Sequence, residues 1–444
     1  MANNCTVPRR FTNYGIALLM ALAGTHAHAS SFALIDHSVS GMGTAYASGS
    51  AGLDDASTIF FNPATMSRLS GSNLTGGLQI INSKTDFKGD AQYNPAIPGI
   101  GGLQIAGKNK DDLDLTAAVP MGAISYQHNE QLWFGLTINT PFGLKTEYDS
   151  DWVGRYNAIK SELLTFNFNP TMAFKFNEKF TLGLGVSAMY ADGELTRAAD
   201  VGLGAALGPT PIPGWVPGSS TYDSQVKLTG DDWGFGYNIG LLFEPTDNAR
   251  IGLHYRSKID LTLDGDIKVS GPVVNSKQGG ELDLTLPDSL SLSGYFALNP
   301  QWALRGDITW TKWDRIQSLD TTLDDGSESI AVWDYDNSTR YSVGTEYTHN
   351  PAWTFRGGLA LDETPVPSDS LRSPRVPDAD RTWLTFGATY NHSKSLTFDF
   401  GYAHLFVDDP KLDNVPDDDG AHLVSGEYDS AVDIFGAQVN WRFN

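Results

Sequence analysis

The chain has 444 residues, a net charge of −22 and a single cysteine, Cys5. So acidic a chain repels the phosphate backbone, which excludes nucleic acid as a partner. The sequence also has no apolar run of the ~20 residues that a membrane helix needs, which excludes a helical inner-membrane transporter. The length fits either several soluble domains or one large β-barrel.

Residues 1–29 have the pattern of a secretory signal peptide. Arg9 and Arg10 precede an apolar run at residues 14–23, and residues 27–29 read Ala-His-Ala, a small-x-small cleavage site. The alternative, a membrane anchor, needs a longer run than this one. We therefore expect an exported protein that loses its only cysteine with the leader and has no disulfide.

Residues 30–70 do not alternate as a strand does. They are rich in glycine and small residues, and Asn62-Pro63-Ala64 predicts a turn because proline disfavours helix at the residue before it. Taken alone, the segment reads as an ordered arm on a soluble domain. The remainder of the chain favours a second interpretation, a compact hatch that plugs a barrel.

Residues 71–444 show a repeated period of two. In the stretch 164–176, Leu164, Phe166 and Phe168 share one face while polar residues occupy the other, and a three-residue turn leads into the next stretch, 180–190. Fourteen such stretches follow one another, near 74–82, 121–127, 132–142, 164–176, 180–190, 233–243, 251–263, 282–298, 302–313, 340–348, 353–361, 382–391, 396–406 and 433–443. Their length and their terminal aromatic residues predict an all-β fold, a 14-stranded antiparallel transmembrane β-barrel with the N-terminal hatch in its lumen.

The third stretch is interrupted by Pro141, Phe142 and Gly143. Proline cannot donate to a ladder, so this tripeptide predicts either a bulge where the outer loop begins or a local break in the wall. On the faces assigned to the lumen lie five arginines, for which ion pairs with acids such as Asp307, Glu346 and Asp362 are the default interpretation: Arg250, Arg256, Arg305, Arg340 and Arg356.

Arg197 lies where the fifth strand enters a long loop that contains Leu203, Leu207 and Trp215. Apolar side chains beside one cation are the composition of a pocket for an apolar molecule with an acidic head. A structural ion pair is the alternative for Arg197. These four residues are the candidate substrate-binding residues.

Motifs of catalysis are absent: the sequence has no His-Glu-x-x-His, no Gly-x-Ser-x-Gly and no phosphate-binding glycine loop. We expect no cofactor, no metal site and no enzymatic activity, although a membrane hydrolase can assemble its residues without a motif. The run Asp417-Asp418-Asp419-Gly420 predicts a solvated acidic loop rather than a calcium site, because Val415 breaks the spacing of an EF-hand.

Several short motifs, in their order and spacing, give the chain a resemblance to a known family. It resembles the FadL family of outer-membrane long-chain fatty acid transporters, which includes channels for aromatic hydrocarbons. The motifs are Asn62-Pro63-Ala64, residues 231–238, Leu286-Pro287, residues 300–303, Trp313, residues 353–356, residues 365–367 and residues 377–381.

The resemblance implies a 14-stranded barrel with a hatch, capture of an apolar molecule at the outer loops, and lateral release at a kink in the third strand, here Pro141 to Gly143. It places Arg197 where the family binds the acidic head, and Asp336 where the family has an assisting lysine. A neutral alkane or aromatic hydrocarbon therefore stays an alternative cargo. An outer-membrane lipid hydrolase is a further alternative for the function of the protein. The expected surroundings are outer-membrane lipid and lipopolysaccharide, and the expected state is a monomer.

Overall fold

The computed structural model describes residues 31–207 and 215–443. The predicted signal peptide and the middle of the loop after Leu207 lie outside these ranges. Within them, no helix is both long enough and apolar enough to cross a membrane.

Fourteen antiparallel strands close into one barrel, as the period-two pattern predicts. Closure is made by β1 and β14, which pair along their whole lengths. The strands are β1 Ser72–Tyr93, β2 Leu115–Gln127, β3 Leu132–Asn139 with Gly143–Glu147, β4 Lys160–Asn177, β5 Phe180–Ala199, β6 Ser224–Thr246, β7 Ala249–Arg256 with Ile259–Ser270, β8 Asn275–Leu286 with Ser289–Ala297, β9 Trp302–Thr311, β10 Ser338–Asn350, β11 Trp353–Asp362, β12 Arg381–Asn391, β13 Leu396–Val407 and β14 His422–Phe443. Short strands at Lys110–Asp112, Ser318–Leu323, Glu328–Val332 and Lys411–Pro416 belong to the outer loops.

The outer surface of the barrel is an apolar band with aromatic residues at both edges. On β6 the band runs from Trp233 to Leu241 in alternate, exposed positions. Trp233 is paired with Tyr190 near the outer edge, and Phe180 stacks on Phe243 near the inner edge. This length and these edges match a strand that spans the hydrocarbon layer, with its aromatic rings at the two interfaces.

The outer half of β7 directs its apolar side chains into the lumen, which corrects the unbroken alternation predicted for the stretch 251–263. The alternation places Ile259, Leu261 and Leu263 on the same outward face as Ile251, but all three are buried while Ile251 is exposed. Between the pairs Arg256–Asn238 and Asp264–Asp231, β7 has one residue more than β6. A slip of one residue exchanges the two faces of a strand, so the three apolar side chains turn inward.

Residues 31–70, the N-terminal segment, lie inside the barrel and are almost entirely buried. They form two helical turns, α1 Val39–Met42 and α2 Thr58–Phe61, and a 3₁₀ helix at Pro63–Arg68. Asn62 caps this last helix, since its side-chain oxygen accepts a hydrogen bond from the Ala64 amide at 2.9 Å. Pro63 occupies the first helical position, where a missing N–H removes no hydrogen bond.

Side chains and backbone of the wall hold the N-terminal segment from several sides. The Asn62 side-chain nitrogen donates to the Leu241 carbonyl, the Val39 amide to Gln438, and the Ser50 amide to the Ser293 hydroxyl. Gly252 of β7 lets the segment approach this closely, because a methyl group there would overlap the Ser50 carbonyl. The inner lumen is therefore closed by a segment fitted to the wall.

Replacing Gly252 with alanine is expected to displace the segment near Ser50 and to raise ion conductance through single barrels in planar bilayers several-fold. Gly294 on the neighbouring strand is the matched control, because a methyl group at that position meets open space. Equal conductance in the two variants would contradict the tight fit at Gly252.

Candidate functional site

The outer half of the lumen is filled by apolar side chains. They come from the N-terminal segment, from β3 to β8 and from the two loops that follow β9 and β11. The buried members include Phe32, Phe142, Leu144, Leu163, Met189, Leu228, Ile259, Leu261, Leu263, Leu282, Leu284, Leu286, Trp313, Ile316, Leu319, Trp333, Val366 and Val376, and we call them the outer apolar cluster. Transmembrane barrels that conduct polar solutes have a polar lumen, so this lining is suited to an apolar cargo.

The third strand breaks beside this cluster. Asn139 pairs with Asn167 of β4 and Gly143 pairs with Leu164, so residues 140–142 face only residues 165–166. One extra residue in a strand forces a local loss of pairing. The Thr165 hydroxyl accepts a hydrogen bond from the Phe142 amide at 3.2 Å and donates to the Phe142 carbonyl at 2.6 Å.

On its other side, β3 separates from β2. The ladder between the two strands joins residues 122–127 to residues 133–138 and stops there. Outward of Gly122, the described strand pairs of β2 are with β1, while Gly143–Glu147 pairs with β4. The wall therefore has a gap in its strand pairing between β2 and the outer half of β3.

The beginning of the N-terminal segment covers this gap from inside. Leu34 donates its amide hydrogen to the Pro141 carbonyl at 2.8 Å, and Gly143 donates to the Phe32 carbonyl at 2.9 Å. Phe32 enters the outer apolar cluster, with its ring edge-on to Trp313 at 4.9 Å between centroids. The structure thus brings the predicted kink, Pro141 to Gly143, into contact with the tip of the predicted hatch.

A cavity of 140 Å³ lies directly inside the kink, and we call it the inner cavity. The kink and the N-terminal segment supply its apolar walls, and β7 to β11 supply polar groups on the other side. Its lining includes Leu34, Ile35, Phe60, Phe61, Pro141, Phe142, His254, Arg256, Asp307, Arg340 and Asp362.

The other side of the N-terminal segment faces a polar vestibule of 660 Å³ at the inner end of the barrel. Arg305 and Arg356 share Glu346 there, with nitrogen-to-oxygen distances of 3.0 and 2.7 Å. These two arginines are ion-paired as the sequence predicts, whereas Asp307 instead accepts hydrogen bonds from hydroxyl groups such as that of Thr309 at 2.7 Å. An apolar molecule would leave this vestibule only through water and charged groups.

The four candidate residues at the end of β5 and in the loop after it each have different surroundings. Arg197 forms ion pairs with two carboxylates: its Nε lies 3.4 Å from Oδ2 of Asp418, and its Nη2 lies 3.8 Å from Oδ2 of Asp419. Leu203 packs in an apolar cluster beneath the outer loops, and Leu207 is exposed. Trp215 stacks on Tyr222 at 5.2 Å with nearly parallel rings.

The acidic loop before β14 is not uniformly solvated, which corrects the sequence interpretation. Asp417 is buried, and one of its oxygens lies 2.6 Å from Nδ1 of His422. Nε2 of His422 lies 3.3 Å from Asp200, and the imidazole ring stacks on Tyr156 at 4.1 Å. Nothing in the local sequence predicts this contact, because the carboxylates are 217 residues apart along the chain, at positions 200 and 417.

The two carboxylates join the loop after β5 to the loop before β14 through His422, and the ring of Tyr156 adds the loop between β3 and β4. His422 lies in the outer extension of β14, well beyond the apolar band of that strand. Burial alone would lower the pKa of His422, but its hydrogen bonds with Asp200 and Asp417 raise the pKa above 6.5. Burial likewise opposes ionisation of Asp200, whereas the hydrogen bonds from His422 and Tyr93 lower the pKa of Asp200 overall.

An open groove of 710 Å³ lies on the outer surface beside these loops, and we call it the outer groove. Leu103 and Val216 line it and are more than half exposed. Tyr93, Ile100 and Pro217 add further apolar surface. Exposed apolar side chains in a concave surface are typical of a site that receives an apolar ligand.

Together, the closed 14-strand barrel, its apolar outer band and its plugged lumen define a multi-pass β-barrel protein of the bacterial outer membrane. The chain belongs to the outer membrane transport protein family OMPP1/FadL/TodX, whose family model matches residues 20–443. This finding confirms the resemblance inferred from the sequence.

Its relatives include proteins of known name and structures that have been solved. A long-chain fatty acid transport protein of Escherichia coli O6:H1 is 32% identical, with 98% of this chain and 99% of the relative covered. Outer membrane protein P1 of Haemophilus influenzae is 32% identical over 89% of this chain and 90% of the relative. A FadL homologue of Pseudomonas aeruginosa has a similar structure, with a TM-score of 0.85, 25% identity, and coverage of 93% of this chain and 100% of the homologue.

The toluene transporter TodX of Pseudomonas putida shares the fold, with a TM-score of 0.68 and 19% identity over 90% of this chain and 98% of TodX. The family is one of transport proteins, not of enzymes.

The contact among Asp200, His422 and Asp417 predicts outer loops that are held more firmly at low pH. A raised pKa means that the stabilisation is complete below about pH 6.5 and is lost as the pH rises through the folded-state value. As the pH rises above about 6.5, hydrogen exchange in residues 408–421 should therefore become faster than intrinsic exchange chemistry accounts for. His422→Gln should remove this difference, and His392→Gln at an inner turn should retain it; a pH effect unchanged in His422→Gln would refute the assignment.

Proposed function

We propose that the protein is a passive transporter of long-chain fatty acids or similar hydrophobic compounds across the outer membrane. The main support for this function is the outer apolar cluster, which fills the part of the lumen that contains water in a porin. The fatty-acid-transport names of relatives at about 30% identity support this cargo class. The sequence has no nucleotide-binding motif, so we infer that a downhill gradient drives the transport.

The domain organisation that we propose is a signal peptide at 1–29, a hatch at 30–70 and the barrel from 71 to 444. The support for the hatch is the burial of residues 31–70 and their hydrogen bonds to the wall. The hatch separates the outer apolar cluster from the polar vestibule. Cargo that reaches the hatch therefore has no apolar route straight through the lumen.

For release we propose the gap between β2 and the outer half of β3. Transfer from the lumen into the bilayer through this gap avoids re-exposing the tail to water, which costs about 0.8 kcal/mol per CH₂ group. Phe142 belongs both to the outer apolar cluster and to the wall of the inner cavity, so the apolar surface is continuous up to the kink. Displacement of Phe32 to Leu34 would open the gap.

For capture we propose the outer groove together with Leu203, Leu207 and Trp215. Arg197 would bind an acidic head in competition with Asp418 and Asp419. The protein would lie as a monomer among outer-membrane lipid and lipopolysaccharide.

A neutral aromatic hydrocarbon or alkane is the second candidate cargo. The apolar cluster suits it equally, and Asp336 stands where the family resemblance implies a lysine. Growth of a deletion strain on oleate, compared with growth on toluene or an alkane, separates the two cargo classes. We also propose that the protein has no lipid-hydrolase activity; release of free fatty acid from phospholipid by the purified protein would refute that.

Arg197→Ala is expected to weaken fatty-acid capture by about tenfold, because a charge-assisted hydrogen bond to a carboxylate is worth about 1.5–3 kcal/mol. Binding of a fatty acid to folded, purified protein measures this. Unchanged affinity would mean that Arg197 has only a structural role, through its ion pairs with Asp418 and Asp419.

Deletion of Pro141 is expected to abolish uptake while sparing capture. It removes the one extra residue of β3, so both flanking pairs to β4 keep their register and the ladder can close. Deletion of His349 is the matched control, because it removes an extra residue of β10 near an inner turn. Uptake of radiolabelled oleate by cells, beside binding to the purified barrel, measures the two steps.

Undiminished uptake in the folded Pro141 deletion would show that cargo leaves past the hatch. The lateral route would then be wrong, while the transport function would stand.

A further inference from the structure

We propose that the inner cavity is a binding site for the head of a carboxylic acid with an apolar tail, and that Arg340 holds the carboxyl group. This inference rests on the proposed transport function and adds to it the residue that distinguishes an acid from a neutral hydrocarbon.

Arg340 is buried and has N–H donors that are not used in hydrogen bonds. It is 6% exposed, lies on β10 and lines the inner cavity. Its Nη2 donates to the Ala45 carbonyl at 2.9 Å, but Nε and Nη1 have no hydrogen-bond partner among residues 31–207 and 215–443. Buried guanidinium nitrogens are paired in most proteins, so two unpaired ones beside a cavity point to a ligand.

The nearby acids do not neutralise Arg340 directly. Asp307 is engaged by the hydroxyl groups of Ser291 and Thr309, at 2.7 Å each. Asp36 accepts a hydrogen bond from the Tyr46 hydroxyl at 3.0 Å. Asp362 is the cross-strand neighbour of Arg340, yet in the described part of the chain the two form no ion pair. The arginine is therefore left with free N–H groups for an incoming oxygen.

Two aromatic rings fix the guanidinium group of Arg340. Its carbon lies 5.8 Å from the ring centre of Tyr46 and 5.1 Å from that of Trp383. Such contacts orient a guanidinium group without using its N–H donors. The donors are thus pre-positioned, which reduces the entropy lost when a ligand binds.

The size and position of the cavity fit a head group rather than a whole cargo molecule. At 140 Å³ the cavity has room for several water molecules, enough for a carboxyl group and its first few methylene groups. Phe142 connects the cavity to the outer apolar cluster, where the tail would lie. Arg256, whose carbon lies 4.5 Å from the ring centre of Phe60, adds a second cation to the lining.

The test compares palmitate with methyl palmitate, which has the same tail but no acidic group. Each ligand displaces a neutral fluorescent probe from the full-length barrel in nanodiscs, and the ratio of the two affinities is the readout. We expect the wild-type protein to prefer palmitate, and Arg340→Met to lose about tenfold of this preference with its affinity for methyl palmitate intact. Arg340→Lys should keep part of the preference.

Lys268→Met is the matched control, because it removes one positive charge from an exposed position on the outer part of β7. Folding is checked by heat-modifiable electrophoretic mobility, and if Arg340→Met does not fold, Arg340→Lys carries the test with a reduced preference as the expected result.

Three results would overturn the inference. Equal weakening of both ligands in Arg340→Met would mean that Arg340 only anchors the hatch through Ala45. An unchanged preference would mean that lumen water alone solvates the guanidinium group. Loss of the preference in Arg197→Met but not in Arg340→Met would place the head group at the outer loops. Failure of the wild-type protein to bind either ligand would instead refute the transport proposal itself.

Discussion

The closed hydrogen-bonded ladder is the constraint on which the rest of the structure depends. In hydrocarbon every backbone donor and acceptor needs a partner, so an unpaired strand edge that faces lipid is strongly unfavourable in a barrel wall. One additional residue in a strand therefore has large consequences. In β7 it exchanges the two faces and turns Ile259, Leu261 and Leu263 into the lumen; in β3 it opens the pairing at Pro141 and Phe142.

The gap beside β3 is covered by residues 31–34 of the N-terminal segment, which lie inside the barrel wall. Two backbone hydrogen bonds join these residues to β3, one from Leu34 to the Pro141 carbonyl and one from Gly143 to the Phe32 carbonyl. The Ser31 amide also donates to the Asp378 carboxylate at 3.0 Å, and the side chains of Phe32 and Leu34 are buried. At about 1 kcal/mol per backbone hydrogen bond and about 1.5–3 kcal/mol for the bond to the carboxylate and for each buried side chain, detaching the tip costs about 6–11 kcal/mol. An alkyl chain that takes the place of Phe32 in the outer apolar cluster offsets much of that amount.

The inner part of the hatch is held differently. Its contacts include Val39 to Gln438, Asn62 to Leu241 and Ser50 to Ser293, spread around the wall. Breaking all of these at once would expose buried polar groups with no replacement partners, whereas the tail of an apolar cargo can replace the apolar contacts of the tip. We therefore propose separate roles for the two parts of the N-terminal segment, with the tip as a gate and the body as a seal.

The sequence predicts the number of strands because lipid imposes period two on each one, as between Trp233 and Leu241. It underestimates their length: the stretch 74–82 belongs to a strand that ends at Tyr93, since beyond the membrane the outward face is no longer apolar. Periodicity alone cannot predict that Leu261 points into the lumen. The apolar residues of β7 keep a spacing of two, and the one additional residue is seen only when β7 is paired with β6. The partners of Arg197, Arg340 and His422 come from distant strands and loops, and only the closed barrel brings them together.

The depth of the gap decides what an acidic cargo can do there. Phe142 lies beside residues 165–166 of β4, and Phe166 is in register with Tyr190 and Trp233, the aromatic edge of the apolar band. Aromatic belts lie at the level of the lipid headgroups. An ionised head cannot follow its tail into hydrocarbon, because an isolated buried charge is strongly unfavourable. At the depth of the gap the ionised head does not have to enter hydrocarbon. The tail can insert between the lipid chains while the carboxylate passes from the guanidinium group of Arg340 to the hydrated interface.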